Sequence, residues 1–393
     1  MTGFYIARSG YVGDVTEQWY RPSQEATYII GQYNSTHYYM QNHTGFGYEA
    51  YDGYEYMSTN ASAVINNAIG NLPVYDPFTR TGGGKVSTRD GTYNLDTRIV
   101  LKDRLIFEGE GDATLFQCNA WAYMTMFGYG QSTIISNVVL RDFKIAASLG
   151  PIPAIGIDFY NVTYSTIDHV SFSDSYHTAD VRFYTAAWTN KITNCYLENW
   201  ATYPLILLDS DAPLTWLPNF ITIQSNILGM WGNGIGIDVE RGTEHIIDGN
   251  DIEQTASATG IYLNNSITAR ITKNYFEALS VGVNVSSFST AYIKLNSFSA
   301  VTTPIGNNGT VYAKDNAGFV TENSVSATNS TATTFVVNHG LAAAAMYVWC
   351  SFNSTWTDKD YTWTSTATQI TVTITGTPPD AVVTCYCRCE YAP

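Results

Sequence analysis

Positive charge is scarce in this chain. Its 19 lysines and arginines stand against 34 acidic residues, for a formal charge of −15, and only 13% of the 393 residues are charged. A basic face for nucleic acid or for an anionic membrane surface is thereby excluded, and a strongly anionic polymer would be repelled unless cations intervened. Long apolar runs are missing as well. No stretch of 18 apolar residues occurs, so neither a spanning helix nor membrane insertion is expected. The opening Met1-Thr2-Gly3-Phe4-Tyr5 lacks the basic and apolar regions of a signal peptide, which implies a processed form or export by another route, for instance inside a virion. Cysteine is sparse: Cys118 and Cys195 stand alone among 6, which is no small-domain disulfide framework. His37, His43, His169, His177, His245 and His339 are scattered without metal-ligand spacing. No metal or cofactor is expected, calcium on the acidic surface being the one cation the composition would admit.

What the chain has instead is tyrosine, 29 of them, with Ser, Thr and Asn in the polar positions, as in many extracellular β-proteins. Nine glycosylation sequons fall at Asn34, Asn42, Asn60, Asn161, Asn264, Asn284, Asn308, Asn329 and Asn353. Above all it has a period. Asn226, Asn250, Asn274, Asn296 and Asn316 follow one another at 24, 24, 22 and 20 residues. The first four share the frame apolar-x-x-Asn-x-apolar: Ile223/Leu228, Ile247/Ile252, Ile271/Phe276 and Ile293/Phe298. A second frame keeps step: Gly236-Ile237, Gly260-Ile261, Gly282-Val283 and Pro304-Ile305. A period in the low twenties with β-branched residues in fixed slots marks a solenoid of short parallel strands. Stacked at about 4.8 Å, the asparagines would form an internal ladder, each amide bonding the rungs above and below. Leu140/Phe143/Ile145, Ile167/Val170/Phe172 and Ile192/Cys195/Leu197 continue the frame upstream, with Cys195 in the ladder slot as a buried thiol. From Ile192 to Ile223 the step is 31 residues, and the excess, around Asp209 to Trp216, reads as a side loop on the binding face.

Residues 1–57 carry eleven tyrosines and form a leader that either packs on the solenoid or mediates attachment through aromatic anchors. Tyr28-Ile29-Ile30 and Tyr38-Tyr39-Met40, around Asn34-Ser35, suggest a hairpin. A helix is predicted from Ser58 to Gly70, capped by Ser58 or Thr59, with Ala61, Val64, Ile65, Ala68 and Ile69 as its apolar stripe. It is placed to cover the solenoid's open first coil. Then come Gly82-Gly83-Gly84-Lys85-Val86, Asp90-Gly91-Thr92-Tyr93, Ile99-Val100-Leu101-Lys102 and Leu105 to Gly111 with its Glu108-Gly109-Glu110-Gly111. Helix, Gly-rich turn, Gly-Thr-Tyr, apolar strand and Glu-Gly-x-Gly in this order resemble the N-terminal cap of pectate-lyase-like right-handed β-helix proteins, a resemblance covering roughly residues 58–316. It implies an all-β fold, a right-handed parallel β-helix with an N-terminal capping helix over 58–319. It does not imply an activity, since that superfamily includes lyases, glycoside hydrolases, tailspikes and structural fibres. The polygalacturonase signature is absent, and no arginine-centred β-elimination site can be placed.

From about Val320 the pattern changes to alternating strands at Thr334–Val337, Met346–Trp349, Tyr361–Trp363, Ile370–Ile374 and Ala381–Cys387, which read as a small β-sandwich over 320–393. Its Asn338-His339-Gly340-Leu341 turn resembles small C-terminal modules of viral tail proteins. Cys385, Cys387 and Cys389 share one strand face, where neighbours two apart are too far to bridge without distortion, and Cys350 could pair with one of them. Their spacing is not that of a zinc motif, and they read as small buried side chains rather than a metal site.

Aligning Ile206 with Ile237 puts Asp209 and Glu240 on adjacent rungs, with Asp238 two residues from Glu240 on the same outward face. Separations of about 5 and 6.7 Å overlap those used by glycosidases, and a crowded carboxyl with a raised pKa suits a general acid. Asp211, Trp216 and Trp231 are expected to wall the cleft and stack on sugar rings. The alternatives are a solvated acidic face or a calcium site. Glu253 and Glu277 form a second stacked pair, read as a solvated ladder. The function expected is glycan binding along the solenoid side by a tailspike- or fibre-like protein on a virion or cell surface, with trimers the favoured homo-oligomer. Polysaccharide cleavage through Asp209, Asp238 and Glu240 and a purely structural fibre subunit are the alternatives.

Overall fold

The computed structural model describes residues 27–34, 37–42, 56–74, 76, 82–118, 125–129, 133–147, 154–173, 177–199, 202–210, 217–254, 257–264, 268–319, 322–329, 333–341, 345–352, 361–375 and 383–391. Short parallel strands stack coil on coil around one apolar interior. Nine of them, from Ile99–Val100 through Ile206–Asp209, Ile235–Val239 and Thr259–Leu263 to Thr303–Asn307, make one continuous sheet. On the other sides each coil places two strands on either side of a sharp bend, as His245–Asp248 and Asp251–Gln254 do, each pairing in parallel with its counterparts in the next coil.

That bend is built the same way each time. The residue before the ladder slot is left-handed in eight successive coils: Asp142, His169, Asn194, Ser225, Gly249, Lys273, Leu295 and Asp315 have φ between 50° and 65°. The slot residue then turns its side chain inward. Asn226, Asn250, Asn274 and Asn296 each donate one amide hydrogen to the next rung's Oδ1 at 2.9–3.1 Å. The second hydrogen goes back to the carbonyl of an isoleucine one coil earlier, Ile192, Ile223, Ile247 and Ile271. Each Oδ1 from Asn250 onward also accepts the preceding slot residue's backbone N–H. Cys195 takes the slot where the ladder begins, its backbone N–H bonding Asn226 Oδ1 at 3.0 Å. Burial holds its thiol up at about 12, so it stays protonated. The second frame is explained by close approach. A Cβ on Gly236, Gly260 or Gly282 would lie 2.6–2.7 Å from the carbonyl oxygen of the next rung, which forbids any side chain there.

A further inward slot lies at or next to the start of the strand on the other flank of the bend. It runs Val138, Ser165, Asn190, Ile221, His245, Ala269, Ala291 by register. Ser165 and Asn190 form a short ladder of their own, Asn190 Oδ1 accepting the Ser165 N–H at 2.9 Å and Ser165 Oγ accepting the Val138 N–H at 2.8 Å. His245 sits between Ile221 and Ala269, which offer no polar atom, and both ring nitrogens lack a partner.

The capping helix runs Ala61–Asn71 and buries the expected stripe. Its cap is Asn60, not Ser58 or Thr59. Asn60 is extended at φ −107° and its Oδ1 accepts the Ala63 N–H at 2.9 Å, while Ser58 Oγ accepts the Asn60 N–H. Across the helix, Ser62 Oγ accepts the N–H groups of Asp96 and Thr97, and Asn66 Oδ1 accepts that of Val100. The lid therefore satisfies backbone that the missing previous coil would otherwise have paired. The hairpin Thr27–Asn34/His37–Asn42 forms as expected and pairs in parallel with Gly84–Thr88. It packs Tyr28, Ile30, Tyr38 and Met40 into the same core, so this part of the Tyr-rich leader completes the solenoid's end.

Beyond Phe319 two three-stranded antiparallel sheets face each other: Glu322–Asn329, Val383–Glu390 and Tyr347–Phe352 in one, Thr334–Asn338, Gln369–Ile374 and Tyr361–Ser365 in the other. They enclose their own core around Phe335, Ile370 and Val372. The strand at 322–329 was not legible in the sequence because its alternation is Ser, Val, Ser, Ala, with little apolar contrast. His339 in the turn is buried, accepting the Leu341 N–H at Nδ1 and donating from Nε2 to the Thr366 carbonyl.

Two outcomes follow from the interior. Asn250→Ala strands donors and acceptors on both neighbouring rungs and should lower stability by about 1–3 kcal/mol; a denaturant midpoint unchanged within error would mean the rungs are not bonded as described. Burial depresses the His245 imidazole from 6.5 to about 3, so the unfolded chain binds a proton that the native chain refuses. Stability is whole above pH 6.5 and is lost as pH falls toward 3. Relative to His245→Leu, the wild-type protein should lose about 2 kcal/mol between pH 6.5 and about 5. Parallel pH curves for the two proteins would contradict a buried neutral imidazole.

Candidate functional site

The outward face of the nine-stranded sheet is where chemistry collects. Its strands alternate strictly, with Phe159, Phe183, Leu208, Val239 and Leu263 pointing in. The outward positions therefore line up in two columns. Register places Asp158, Arg182, Leu207, Asp238, Tyr262 and Asn284 in the first. The second begins Tyr160, Tyr184, Asp209 and continues one residue past the Asp238 strand with Glu240, whose N–H bonds Leu208 O at 2.9 Å. The insertion after Asp209 leaves this alignment intact, so Asp209 and Glu240 occupy adjacent rungs and Asp238 flanks them. The three acids therefore lie side by side on the outward face.

Asp238 is the unusual member. It sits at an outward position yet is only 8% exposed. Burial, then the charge of Glu240 and a hydrogen bond to it, then the charge of Asp209, push its carboxyl up to about 7. Protonated, it donates to the Glu240 carboxylate, and Oδ1 faces no partner. Glu240 in turn accepts a hydrogen from Asn264 Nδ2 at 2.7 Å. Tyr262, on the rung after Asp238, has its phenol raised by burial and by Glu240 and Asp238. On the other side Arg182 is committed to Asp158 by a two-pronged bond of 3.0 and 2.7 Å, and its guanidinium lies 4.4 Å from the Tyr184 ring centre. Tyr160 stacks on Tyr184 at 5.5 Å. The patch thus combines a raised carboxyl, two further acids and half-buried aromatic rings; Arg182 is neutralised by Asp158, and the exposed Arg241 follows Glu240 in the chain.

Sequence reasoning named the acids but missed Tyr184, Tyr262, Asn264 and the Arg182–Asp158 pair. The signal was available in the apolar-x-apolar frame Val181/Phe183, Ile237/Val239 and Ile261/Leu263, whose middle and following residues are these side chains. Asp211 and Trp216 lie outside the described residues. Trp231 faces another sheet: its indole N–H donates to Glu198 Oε1 at 2.8 Å, where Gly229, beside Glu198 in register, leaves the carboxylate uncovered. Glu253 and Glu277 are stacked in register as expected, with Tyr275 O–H donating to Glu277. Arg270 and Lys273 lie across the bend from them, Lys273 near Asp248 at 4.0 Å. Among the sequons, Asn34, Asn42 and Asn308 are exposed. Asn161 is 6% exposed, and the amides of Asn60 and Asn264 are engaged in the bonds given above. Asn284 is half-buried, and Asn353 lies outside the described residues.

Residues 181–370 match a family described as right handed beta helix region. The fold is a right-handed parallel β-helix. The β-helix protein resembles the solved structure of the ORF18 protein of Geobacillus virus E2, at 13% identity and a TM-score of 0.50 over 79% of this chain and 72% of that one. The tailspike gp42 of Acinetobacter phage vb_AbaP_AS12 aligns at 11% identity and a TM-score of 0.45, over 56% of this chain and 41% of the tailspike. Alginate lyase from Paenibacillus sp. str. FPU-7 aligns at 13% and 0.41, over 65% and 97%. At these identities the likeness is of the fold. No curated protein sequence matches. Among the described residues no helix is long and apolar enough to cross a membrane.

Native Asp238 holds its proton to about pH 7, whereas in the unfolded chain it ionises near 3.8. Its contribution to stability is present below pH 3.8 and is lost as pH rises through about 7. Compared with Asp238→Asn, the wild-type protein should weaken by about 1.4 kcal/mol per pH unit across that window. A pH-independent difference would mean that Asp238 ionises normally.

Proposed function

We propose that this is a surface-displayed glycan-binding protein, of a virion or a cell, and that the glycan lies along the outward face of the nine-stranded sheet. The observation that carries the reading is the placing of Asp209, Asp238 and Glu240 on adjacent rungs between Tyr184 and Tyr262. Carboxyl and amide groups accept and donate to sugar hydroxyls, and aromatic faces stack on sugar rings. The net charge of −15 and the commitment of Arg182 to Asp158 favour a neutral or amine-bearing glycan over a polyanionic one. A trimer is the expected assembly, as for a spike or fibre.

A second reading, cleavage of the bound glycan, is favoured by the burial of Asp238 beside Glu240, which pushes its carboxyl up to about 7. A carboxylic acid that keeps its proton near neutrality can protonate a leaving glycosidic oxygen, while the neighbouring carboxylate stabilises the sugar cation or activates water. Attack by water would then release a new reducing end.

The test is a panel of neutral and acidic polysaccharides, with binding and reducing-end release measured side by side. Tyr262→Ala and Glu240→Gln should each weaken binding of a neutral glycan by about tenfold. Light scattering should give three chains per particle. Runs with and without a chelator report any calcium bridging the carboxylates. Binding unchanged in both variants would remove this face as the site. Release of reducing ends that disappears in Asp238→Asn would establish cleavage.

A further inference from the structure

Four of the six cysteines lie in the C-terminal sandwich, where they are concentrated in one corner. Alternation along Val383–Glu390 turns Val383, Cys385, Cys387 and Cys389 inward and Thr384, Tyr386 and Arg388 outward. The antiparallel register sets Cys350 of the neighbouring strand directly opposite Cys387. Cys350 Sγ lies 3.4 Å from Cys387 Sγ, and Cys385 Sγ lies 3.4 Å from the same atom. The three sulfurs are all within 4.8 Å of one another, and among the described residues they are the one set of three or more metal-type ligands to converge so closely. None of the six cysteines is in a disulfide.

Ordinary core packing does not ask for this. Three polarisable atoms converging on one point leave a shape that a methyl-bearing side chain would fill as well, and a disulfide would use two sulfurs and abandon the third. Cys385 and Cys387, two apart on one strand, are poorly placed to bridge each other. Two separations of 3.4 Å and a third within 4.8 Å are instead close to the edge of a thiolate tetrahedron, about 3.8 Å for a zinc–sulfur bond of about 2.3 Å. We infer that Cys350, Cys385 and Cys387 form a binding site for a thiophilic d10 cation, zinc in the first instance.

The surroundings suit such a site. Cys385 and Cys387 are buried, whereas Cys350 is half-buried on Tyr347–Phe352, a strand paired on one side only, which provides a route of entry. The Cys350 N–H bonds the Tyr361 hydroxyl of the opposite sheet at 3.1 Å, so the ligand-bearing strand is tied across the sandwich. Binding would displace three protons to solvent and leave three thiolates around the dication, a site of one net negative charge with a fourth position open to water. A sandwich this small has a limited apolar core, and a metal cross-link between two of its strands is a common remedy.

The experiment uses the full chain purified under reducing conditions, stripped with a chelator, then loaded with zinc and desalted. Elemental analysis should find about one zinc per chain, with three thiols protected from a thiol reagent and recovered on chelation. Cobalt in its place should show the visible absorption of a tetrahedral thiolate site, a readout that needs no variant. Cys350→Ser and Cys387→Ser should each abolish loading, while Cys195→Ser, in the solenoid, should retain it. Zinc below about a tenth of an equivalent, zinc retained by the Cys350→Ser/Cys387→Ser double variant, or a Cys350–Cys387 disulfide that forms in the presence of excess zinc would each overturn the proposal.

Discussion

Everything in the solenoid depends on the requirement that a buried amide be satisfied by its neighbour. A coil of parallel strands must turn sharply inside its own core, and a turn exposes backbone groups that no water can reach. Asparagine resolves this because one side chain carries two donors and an acceptor. Each ladder amide binds the carbonyl of the coil before and the oxygen of the coil after, so no rung is complete by itself. The cost is one left-handed residue per coil, accepted by Ser225, Lys273 and Leu295 as well as by Gly249. Where the ladder starts, the same slot is filled by Cys195, whose weak donor needs less.

Rigid stacking inside has a consequence outside. Because each coil is locked to the next in register, side chains far apart in sequence become neighbours at strand spacing, whatever the length of the loop between them. Asp209 and Glu240 are brought together across an insertion, and Asp238 is then crowded enough to retain its proton. Burial is the largest cause of that rise, ahead of Glu240 and Asp209, and Arg182, in the same outward column, already answers Asp158. A site of this kind costs the fold little, because outward columns are not needed for packing.

The C-terminal sandwich has no such repetition. Two short antiparallel sheets close around a small core, and three of its buried side chains are cysteines. Pairing here joins strands through loops of unequal length, so contacts such as Cys350 with Cys387 arise once only.

How much could be read from the chain follows from this contrast. The Asn226 to Asn316 period, the Gly236/Gly260/Gly282 column, the Cys195 slot and the capping stripe Ala61 to Ile69 were all legible, because each is a local pattern repeated or bounded by local rules. The cap was misread at Ser58 because three adjacent polar residues, Ser58, Thr59 and Asn60, compete for one position, and only backbone geometry chooses among them. Trp231 was misplaced because nearness in sequence to the Asp238 strand says nothing about which side of a corner a side chain takes. Alternation and period decide which residues point inward and which outward, and those the sequence by itself determined. Convergence between columns, the protonation of Asp238, the stranded imidazole of His245 and the meeting of three sulfurs depend on register and on burial by distant strands. These only the tertiary structure decided, because they are properties of neighbours that the chain does not place next to each other.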